Sequence, residues 1–265
     1  MRWIIIIASF ILLLLAGFFA FNAYIYNQKQ GNAMDIPQTS TTTENAFNIT
    51  PISHATMVLT LGGQVIYIDP VGGENVFKAQ SAPHIILVTD VHPDHFNAQT
   101  LSAISKDDTV IVVPQAVKDM LPENILGTVI VLANGEKTIQ KGVTIEAVPM
   151  YNVPESAESF HTKGRGNGYV ISGGEKRIYI AGDTSVTPEM KQLQNIDIAF
   201  SPMNLPYTMG IEEAAEGVVA FKPKVVHPYH YRGPDGLSDI VKFKQLVEEK
   251  DSNIKVDLLD FYPAM

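Results

Sequence analysis

The chain has 265 residues, of which 46% are hydrophobic and 18% are charged, and its formal net charge at pH 7 is −9. This hydrophobic content is sufficient for a folded core and excludes a disordered chain. The acidic balance supplies no basic stripe for phosphates and argues against nucleic acid as a partner. The absence of cysteine excludes disulfides and thiolate metal ligands.

The N-terminal segment is strongly apolar. Arg2 precedes an uncharged run at residues 3–21 made mostly of Ile, Leu, Phe and Ala, and a helix of that length spans roughly 28 Å, close to the hydrocarbon thickness of a bilayer. We predict a membrane anchor or signal sequence over residues 1–26, with a buried helix of a soluble protein as the alternative. Arg2 favours a domain outside the cytoplasm, membrane-anchored or, after cleavage, secreted or periplasmic. Residues 27–48, rich in polar side chains, are predicted to be a flexible tether.

Residues 49–265 alternate between strand and helix patterns. Residues 55–61 and 64–69 indicate two strands joined by a Gly62-Gly63 turn, and further strands are predicted at 84–89, 108–113 and 128–133. Helices are predicted after Asn97, as the N-cap, and over 115–121, followed by a hairpin over 137–149. Strands at 168–172, 177–181, 196–201, 224–226 and 254–259 then alternate with helices that begin at Pro188, at 211 and at 238. This order predicts an α/β fold, a four-layer αββα sandwich of two mixed β-sheets with outer helices.

One loop concentrates side chains able to bind a metal. Asp90-Val91-His92-Pro93-Asp94-His95 directly follows the apolar strand at 84–89. A strand end leaves the backbone free to direct alternate side chains toward one point, and imidazole with carboxylate is a ligand mix that zinc, manganese or iron accept. A solvated loop beside a helix start is the alternative. We interpret the loop as part of a metal-centred enzyme.

Together with His161, Gly182-Asp183-Thr184 and His230, this loop resembles the metallo-β-lactamase fold superfamily, whose signature is a His-x-His-x-Asp-His loop, a distant His, an Asp in a Gly-Asp-Thr-like turn and a final His. The resemblance covers residues 52–261 and points to bacterial metal-dependent hydrolases, with sugar-phosphate lactonases and an N-acylphosphatidylethanolamine phospholipase D as distant relatives. It implies two divalent metal ions, Zn²⁺ first, with Mn²⁺ or Fe²⁺ as alternatives. It implies that His92 and His161 bind one metal, that Asp94, His95 and His230 bind the other, and that Asp183 bridges both.

Asp90 stands where that family usually has a histidine. We predict that Asp90 binds metal directly, with a water-mediated contact or a structural cap as alternatives. A third carboxylate would make the centre less positive and shift its preference toward manganese or iron. His227 competes with His230 for the last ligand position and is assigned to a place behind the ligands. Asp69 is predicted to orient a ligand without binding metal.

Five side chains are assigned to catalysis or substrate binding. Asp94 and His54, the latter at the mouth of the site, are candidate catalytic proton carriers, although a core or surface position fits His54 equally well. Lys163 and Arg165, flanked by glycines, are predicted to clamp an anionic substrate group, with solvated loop cations as the alternative. Tyr207 is predicted to contact the substrate.

The resulting function is a metal-dependent hydrolase that uses a hydroxide bound to two metals to cleave an ester, lactone, amide or phosphodiester bond. The alternatives are a phospholipase D-like phosphodiesterase acting on membrane lipids and a non-catalytic metal- or partner-binding module. The expected partners are a small-molecule or lipid substrate and, through the N-terminal segment, the membrane. The oligomeric state stays open.

Overall fold

The computed structural model of the protein describes residues 40–42 and 47–263. The predicted anchor or signal at 1–26 and most of the predicted tether lie outside these residues. Two parts of that tether are strand, since β1 is Ser40–Thr42 and β2 begins at Phe47. Thr41 pairs with Asn48 in an antiparallel ladder. Backbone pairing therefore extends the folded domain into a segment whose polar composition indicated a tether.

The predictions that placed this protein at a membrane are corrected. No helix in the described part of the chain is long and apolar enough to cross a bilayer. Its longest helices, Ile211–Phe221 and Ile240–Lys250, have 11 residues each, which is about 16 Å and roughly half of the hydrocarbon thickness. The transmembrane helix and signal-anchor, the membrane as a partner and the localisation outside the cytoplasm are therefore withdrawn.

The first sheet comes from the N-terminal half of the domain, in the spatial order β1 to β7. The strands up to β4 pair antiparallel and those from β4 to β7 pair parallel. Gly62 and Gly63 both have positive φ and form the predicted turn between β3 and β4. The bounds are β1 Ser40–Thr42, β2 Phe47–Ser53, β3 Thr56–Leu61, β4 Gln64–Ile68, β5 Ile85–Leu87, β6 Val110–Val113 and β7 Thr128–Val131.

Short helices cover this sheet. A 3-10 helix at Glu74–Phe77 precedes β5, α1 is Ala98–Ile104, and α2 is Gln115–Lys118. Asn97 caps α1 as predicted, with its Oδ1 accepting the Thr100 N–H at 2.8 Å. Consecutive residues of β5 are all fully buried, which requires cover on both faces of the strand.

The second sheet has the spatial order β16-β13-β12-β11-β10-β9-β8. Its strands from β8 to β11 pair antiparallel, and β11, β12, β13 and β16 pair parallel. The bounds are β8 Lys137–Gln140, β9 Val143–Met150, β10 Gly166–Gly173, β11 Lys176–Ile180, β12 Ile198–Pro202, β13 Val225–Tyr229 and β16 Lys255–Val256.

Three helices and a small hairpin complete the described domain: α3 Pro188–Lys191, α4 Ile211–Phe221, α5 Ile240–Lys250, and the β14 Arg232–Gly233 and β15 Gly236–Leu237 pair. The buried faces of α4 and α5 include Val218, Phe221, Phe243 and Val247. Two large mixed sheets with flanking helices confirm the predicted αββα sandwich.

The fold brings the ends of parallel strands to the residues identified in the sequence. Asp69 follows β4, the loop from Asp90 to His95 lies beyond β5, Asp183 follows β11, and His230 follows β13. Since carboxyl ends of parallel strands lie on one edge of a sheet, each half of the domain contributes side chains from such an edge.

Candidate metal centre

The loop after β5 is a tight turn. The backbone N–H groups of His95 and Phe96 both donate to the carbonyl of His92, at 2.9 and 2.8 Å. Asp90 and His95 are fully buried, whereas His92 and Asp94 are partly exposed. The turn thus separates the four polar side chains into two pairs, each with one buried and one more accessible member.

Asp90 and His92 meet His161 in the first group of the site. One ligand atom from each of the three lies within 4.8 Å of the others. Asp90 Oδ2 is 3.1 Å from His92 Nδ1 and 3.7 Å from His161 Nε2. One oxygen and two nitrogens therefore surround a common point.

His95, Asp183 and His230 form the second group, again with ligand atoms within 4.8 Å. The Nε2 atoms of His95 and His230 are 3.2 Å apart. Asp94 Oδ2 lies 3.1 Å from His230 Nε2. The resemblance implies Asp94, His95 and His230 for the second metal; His95 and His230 share this group, while Asp94 is grouped with His54 and His230.

Asp183 connects the two groups. Its Oδ2 is 3.2 Å from His161 Nε2 and 3.3 Å from His95 Nε2, and its Oδ1 is 3.5 Å from His230 Nε2. A single carboxylate in contact with histidines of both groups is the arrangement expected of a bridging ligand.

The donors fit a divalent cation. Among the described residues, His161 Nε2 and Asp183 Oδ1 are buried and make no hydrogen bond of good geometry, although they lie 3.2 Å from Asp183 Oδ2 and 3.5 Å from His230 Nε2. Such atoms are costly in a folded protein because they have lost water without gaining a partner. A cation bound between the groups would satisfy both atoms, and a set of histidines and carboxylates suits zinc, manganese or iron.

Contacts behind the histidines fix their rings. Asp69 Oδ2 lies 2.8 Å from His95 Nδ1, and the same carboxylate accepts the backbone N–H and the hydroxyl of Thr89, both at 2.7 Å. His161 Nδ1 is 3.2 Å from the Tyr207 carbonyl. A partner at Nδ1 holds each ring with Nε2 toward the site. This agrees with the orienting role predicted for Asp69.

The structure gives Arg165 a partner within the protein. Its Nε donates to Asp90 Oδ1 at 3.0 Å and its Nη2 donates to Asp90 Oδ2 at 2.7 Å. The guanidinium thus grips a fully buried carboxylate in a two-point ion pair. The predicted clamp on a substrate is replaced by this contact. The prediction that Asp90 makes the centre less positive is also corrected. The positive charge of Arg165 offsets the negative charge of Asp90, so the pair leaves the net charge of the centre unchanged.

Lys163 is not brought to the metal groups. Its Nζ donates to Glu189 Oε1 at 2.8 Å and lies 4.5 Å from the ring centroid of Tyr151. It lines a second surface hollow with Glu155, and His161 borders both this hollow and the cavity over the metal groups. The sequence could not distinguish Lys163 from Arg165, since both are cations beside glycines.

A cavity of about 490 Å³ opens over both groups. Tyr207, predicted to contact the substrate, and His54, predicted to lie at the mouth of the site, both line this cavity. His54 Nδ1 is 3.0 Å from the Tyr262 hydroxyl, and its ring centroid is 5.3 Å from that of His230. The cavity is therefore the place where a substrate would meet the centre.

Two further residues line this cavity but are not predicted as site residues from the sequence. Phe160 is half exposed and packs edge-on against Tyr207, with ring centroids 5.0 Å apart. Arg232 lines the cavity and lies 4.3 Å over the ring of Tyr262. Their one sequence signal is position, since each lies within two residues of a predicted ligand.

Opposite charges dominate the electrostatics of the centre. Burial alone would raise the pKa of Asp183, but His230 and His95 hold it well below the ordinary value. Burial is likewise outweighed at Asp94, whose pKa is lowered mainly by the hydrogen bond from His230. Both carboxylates are thus held ionised. Burial lowers the pKa of His54, and His230 adds to that effect.

Backbone geometry at the site is unusual. His54, Asp69 and His230 have φ of +49°, +45° and +46°, a left-handed conformation that non-glycine residues seldom adopt. The His230 N–H donates to the His54 carbonyl at 3.2 Å. Such conformations are concentrated at functional sites, where the surrounding structure enforces them.

His227 lies away from both groups. It sits within β13, where its Nδ1 contacts the Asp257 carbonyl at 2.8 Å and its ring stacks on Phe200. Burial lowers the pKa of His227 to about 4. His230, one residue past the strand, reaches the site instead, as the sequence reasoning favoured.

The chain is similar in sequence to members of a known protein family. A family profile described as a beta-lactamase superfamily domain matches residues 48–230. The chain is 32% identical over 231 residues to a UPF0173 metal-dependent hydrolase of Methanopyrus kandleri, an alignment that covers 80% of this chain and 96% of the relative. It is also 32% identical to a UPF0173 metal-dependent hydrolase of Thermococcus onnurineus, over 75% of this chain and 91% of the relative.

Solved structures show the same likeness. A crystal structure from Parabacteroides distasonis, assigned as a metal-dependent hydrolase, matches with a TM-score of 0.74 and 35% identity over 85% of this chain and 99% of that one. The metallo hydrolase Igni18 of Ignicoccus hospitalis matches with a TM-score of 0.68 at 23% identity, over 83% of this chain and 97% of that one. At that identity the second likeness concerns the fold alone.

Proposed function

Because the chain belongs to the metallo-β-lactamase superfamily and is a metal-dependent hydrolase, we propose that it holds two divalent cations, Zn²⁺ in the first instance, and hydrolyses an ester, lactone, amide or phosphodiester bond. The observation that carries the proposal is the position of Asp183 between two groups of ligand atoms. A centre for one cation would need only one of these groups.

The proposed ligands follow the two groups. Asp90, His92 and His161 would hold one cation, and Asp94, His95 and His230 the other, with Asp183 shared. Divalent cations held in this way supply a nucleophile derived from water at neutral pH and polarise the carbonyl or phosphoryl group under attack.

The chain's own side chains then position the substrate and move protons. Asp94 is the most exposed of the proposed ligands, with its side chain 41% accessible against 35% for His92, and it lines the cavity. His54 shares that wall and is hydrogen-bonded to the Tyr262 hydroxyl. We assign proton transfer to this pair because both side chains border the space that the substrate would fill and both can exchange protons with solvent.

The cavity wall supports a substrate with an apolar portion. Phe160 and Tyr207 present aromatic surface, and Arg232 adds a cation at the same cavity. Aromatic lining with a few polar groups is the usual composition of a small-molecule site. The substrate is therefore proposed to be a small molecule that lies against this aromatic wall.

The test is a screen of the full chain against lactones, phosphodiesters, esters, amides and β-lactams, with Zn²⁺ or Mn²⁺ supplied. We expect turnover of one class to exceed the others, to be lost on chelation and to return with metal. Asp183→Asn should lower it by at least about 100-fold, because one ligand of both cations is weakened. Asp197→Asn, at an ion pair with Lys224 outside the ligand groups, is the matched control. Turnover that survives complete chelation would refute the proposal.

A non-catalytic binding module is the other reading of the same site. It predicts tight metal binding with no turnover of any class in that screen. The open cavity above the ligand atoms favours catalysis, since a purely structural metal site is closed by protein ligands.

A further inference from the structure

Asp90 and Arg165 form the most closely paired charges at the centre. Asp90 has no exposed surface, and Arg165 is 25% exposed. Two guanidinium contacts reach Asp90, at 2.7 and 3.0 Å, each on a different carboxylate oxygen, and Nη2 also lies 3.3 Å from His92 Nε2. This fork leaves Asp90 Oδ2 pointing at the same time toward His92 Nδ1 and His161 Nε2. The arginine thus holds the carboxylate in the orientation that a cation in the first group would require.

The chain is built to bring Arg165 to this position. The neighbouring Gly166 begins β10, and a Cβ placed there would lie 2.8 Å from the Thr89 carbonyl oxygen and 3.4 Å from Asp90 Oδ1. The Asn167 N–H donates to that same carbonyl at 2.9 Å. The start of β10 is therefore held against Thr89, in the segment that follows β5, and the absent side chain at Gly166 allows the close approach.

The net charge of the Asp90–Arg165 pair determines how it would act as a metal ligand. The other two members of the first group, His92 and His161, are imidazoles, which bind metal as neutral ligands. Asp90 alone would add one negative charge, and the guanidinium cancels it. The pair therefore presents an oxygen donor with the net charge of an imidazole.

We propose that Asp90 and Arg165 act as one charge-neutral ligand unit for the first cation, with Arg165 as the positioning residue that orients the carboxylate and cancels its charge. The inference rests on the proposed function, in which Asp90 is a ligand. Arg165 then has two effects that depend on residue 90. It supports a buried aspartate, and it would repel a cation if that aspartate were replaced by a neutral ligand.

The experiment compares Arg165→Met, Asp90→His and the double substitution with the unchanged chain. Melting temperature is measured on metal-free protein, and affinity for Zn²⁺ is measured by competition with a chromophoric chelator. Arg177→Met is the matched control, since Arg177 also pairs with a carboxylate, that of Glu146, at 2.9 Å. Neither measurement requires turnover.

We expect R165M to lower the melting temperature of metal-free protein by about 5–10 °C, because Asp90 is left buried and unpaired. The double substitution should recover most of this loss. In the D90H background, removing the guanidinium should instead strengthen Zn²⁺ binding at one position by about tenfold or more, because a cation no longer faces a fixed positive charge. Removing Arg165 thus destabilises the metal-free protein when residue 90 is aspartate, whereas it strengthens Zn²⁺ binding when residue 90 is histidine.

An Arg165 with a merely structural role would lose stability in both backgrounds and leave Zn²⁺ affinity unmoved, and that result would overturn the inference. If R165M does not fold, the comparison of D90H with the double substitution still decides the matter, since both lack the buried unpaired carboxylate. If a chain that hydrolyses no substrate still shows both effects, the loss of melting temperature with Asp90 and the gain of Zn²⁺ affinity in the D90H background, the inference is supported and the proposed reaction is refuted. The two failures are therefore distinguishable.

Discussion

The carboxylate of Asp69 offers the sharpest test of how the centre is held together. Asp69 has no exposed surface and accepts three hydrogen bonds, two from Thr89 and one at His95 Nδ1. Asp69→Asn preserves the volume but leaves only one acceptor oxygen. If that oxygen stays on the Thr89 N–H, an NH₂ group faces His95 Nδ1.

The ring can then avoid a contact between two donors only by moving its proton to Nε2, the atom that points at Asp183. Loss of such a supporting contact typically weakens metal binding by about 10–100-fold. The unfolding free energy should fall by only about 1–3 kcal/mol, the cost of one unsatisfied buried donor. We therefore expect D69N to fold and to bind metal poorly.

The assay is Zn²⁺ affinity by chelator competition, with denaturant unfolding of the metal-free protein measured in parallel. Asp197→Asn is the control, since Asp197 also accepts a backbone N–H, that of Arg177 at 2.8 Å, and lies outside both ligand groups. D197N should retain full affinity. A D69N protein that loses stability while keeping the affinity of the unchanged chain would refute the reasoning, because Asp69 would then only brace the fold.

Two further predictions concern the scaffold. Gly168→Ala should lower the unfolding free energy by at least about 2 kcal/mol, since the added Cβ would lie 2.6 Å from the Ala181 carbonyl oxygen. Gly173→Ala, on the same strand, is the control and should be tolerated, because its added Cβ would meet nothing nearer than 3.5 Å. Equal losses for the two variants in denaturant unfolding would contradict this prediction. Burial lowers the pKa of His227 from 6.5 to about 4. Between these pH values the unfolded chain therefore binds a proton at this histidine that the folded chain does not bind. The unfolding free energy should thus be fully retained above pH 6.5 and should fall by up to about 3 kcal/mol as the pH is lowered to 4. His227→Asn, which keeps a donor for the Asp257 carbonyl, should flatten the stability curve between those pH values, and an unchanged slope would exclude His227 as its source.

The sequence predicted the elements whose side chains follow a clear pattern. The alternation around Gly62 and Gly63 located the hairpin, and Asn97 located the start of α1, because these signals depend on local backbone preference. The loop from Asp90 to His95 was recognisable because its ligands lie within a single turn. The structure brings these residues to His161, Asp183 and His230, as the resemblance implied.

Other features depend on contacts that no local pattern reports. Arg165 and Asp90 are far apart in the chain, and they are brought together where Asn167, near the start of β10, donates its backbone N–H to the Thr89 carbonyl. The left-handed backbone at His54 and His230 could not be predicted from the sequence, since few histidines adopt it even though histidine does so more often than most residues. The apolar run at residues 3–21 shows a limit of local sequence patterns. Its hydropathy indicates that these side chains prefer apolar surroundings, but it does not identify what those surroundings are.

The central claim is that this chain is a two-metal hydrolase, and the most direct measurement is the metal content of the purified full chain by mass spectrometry, alongside the D183N variant. We predict about two divalent ions per chain, and at most one after the substitution, because Asp183 contacts both ligand groups. A metal-replete preparation that binds one ion per chain, with D183N unchanged, would contradict the claim.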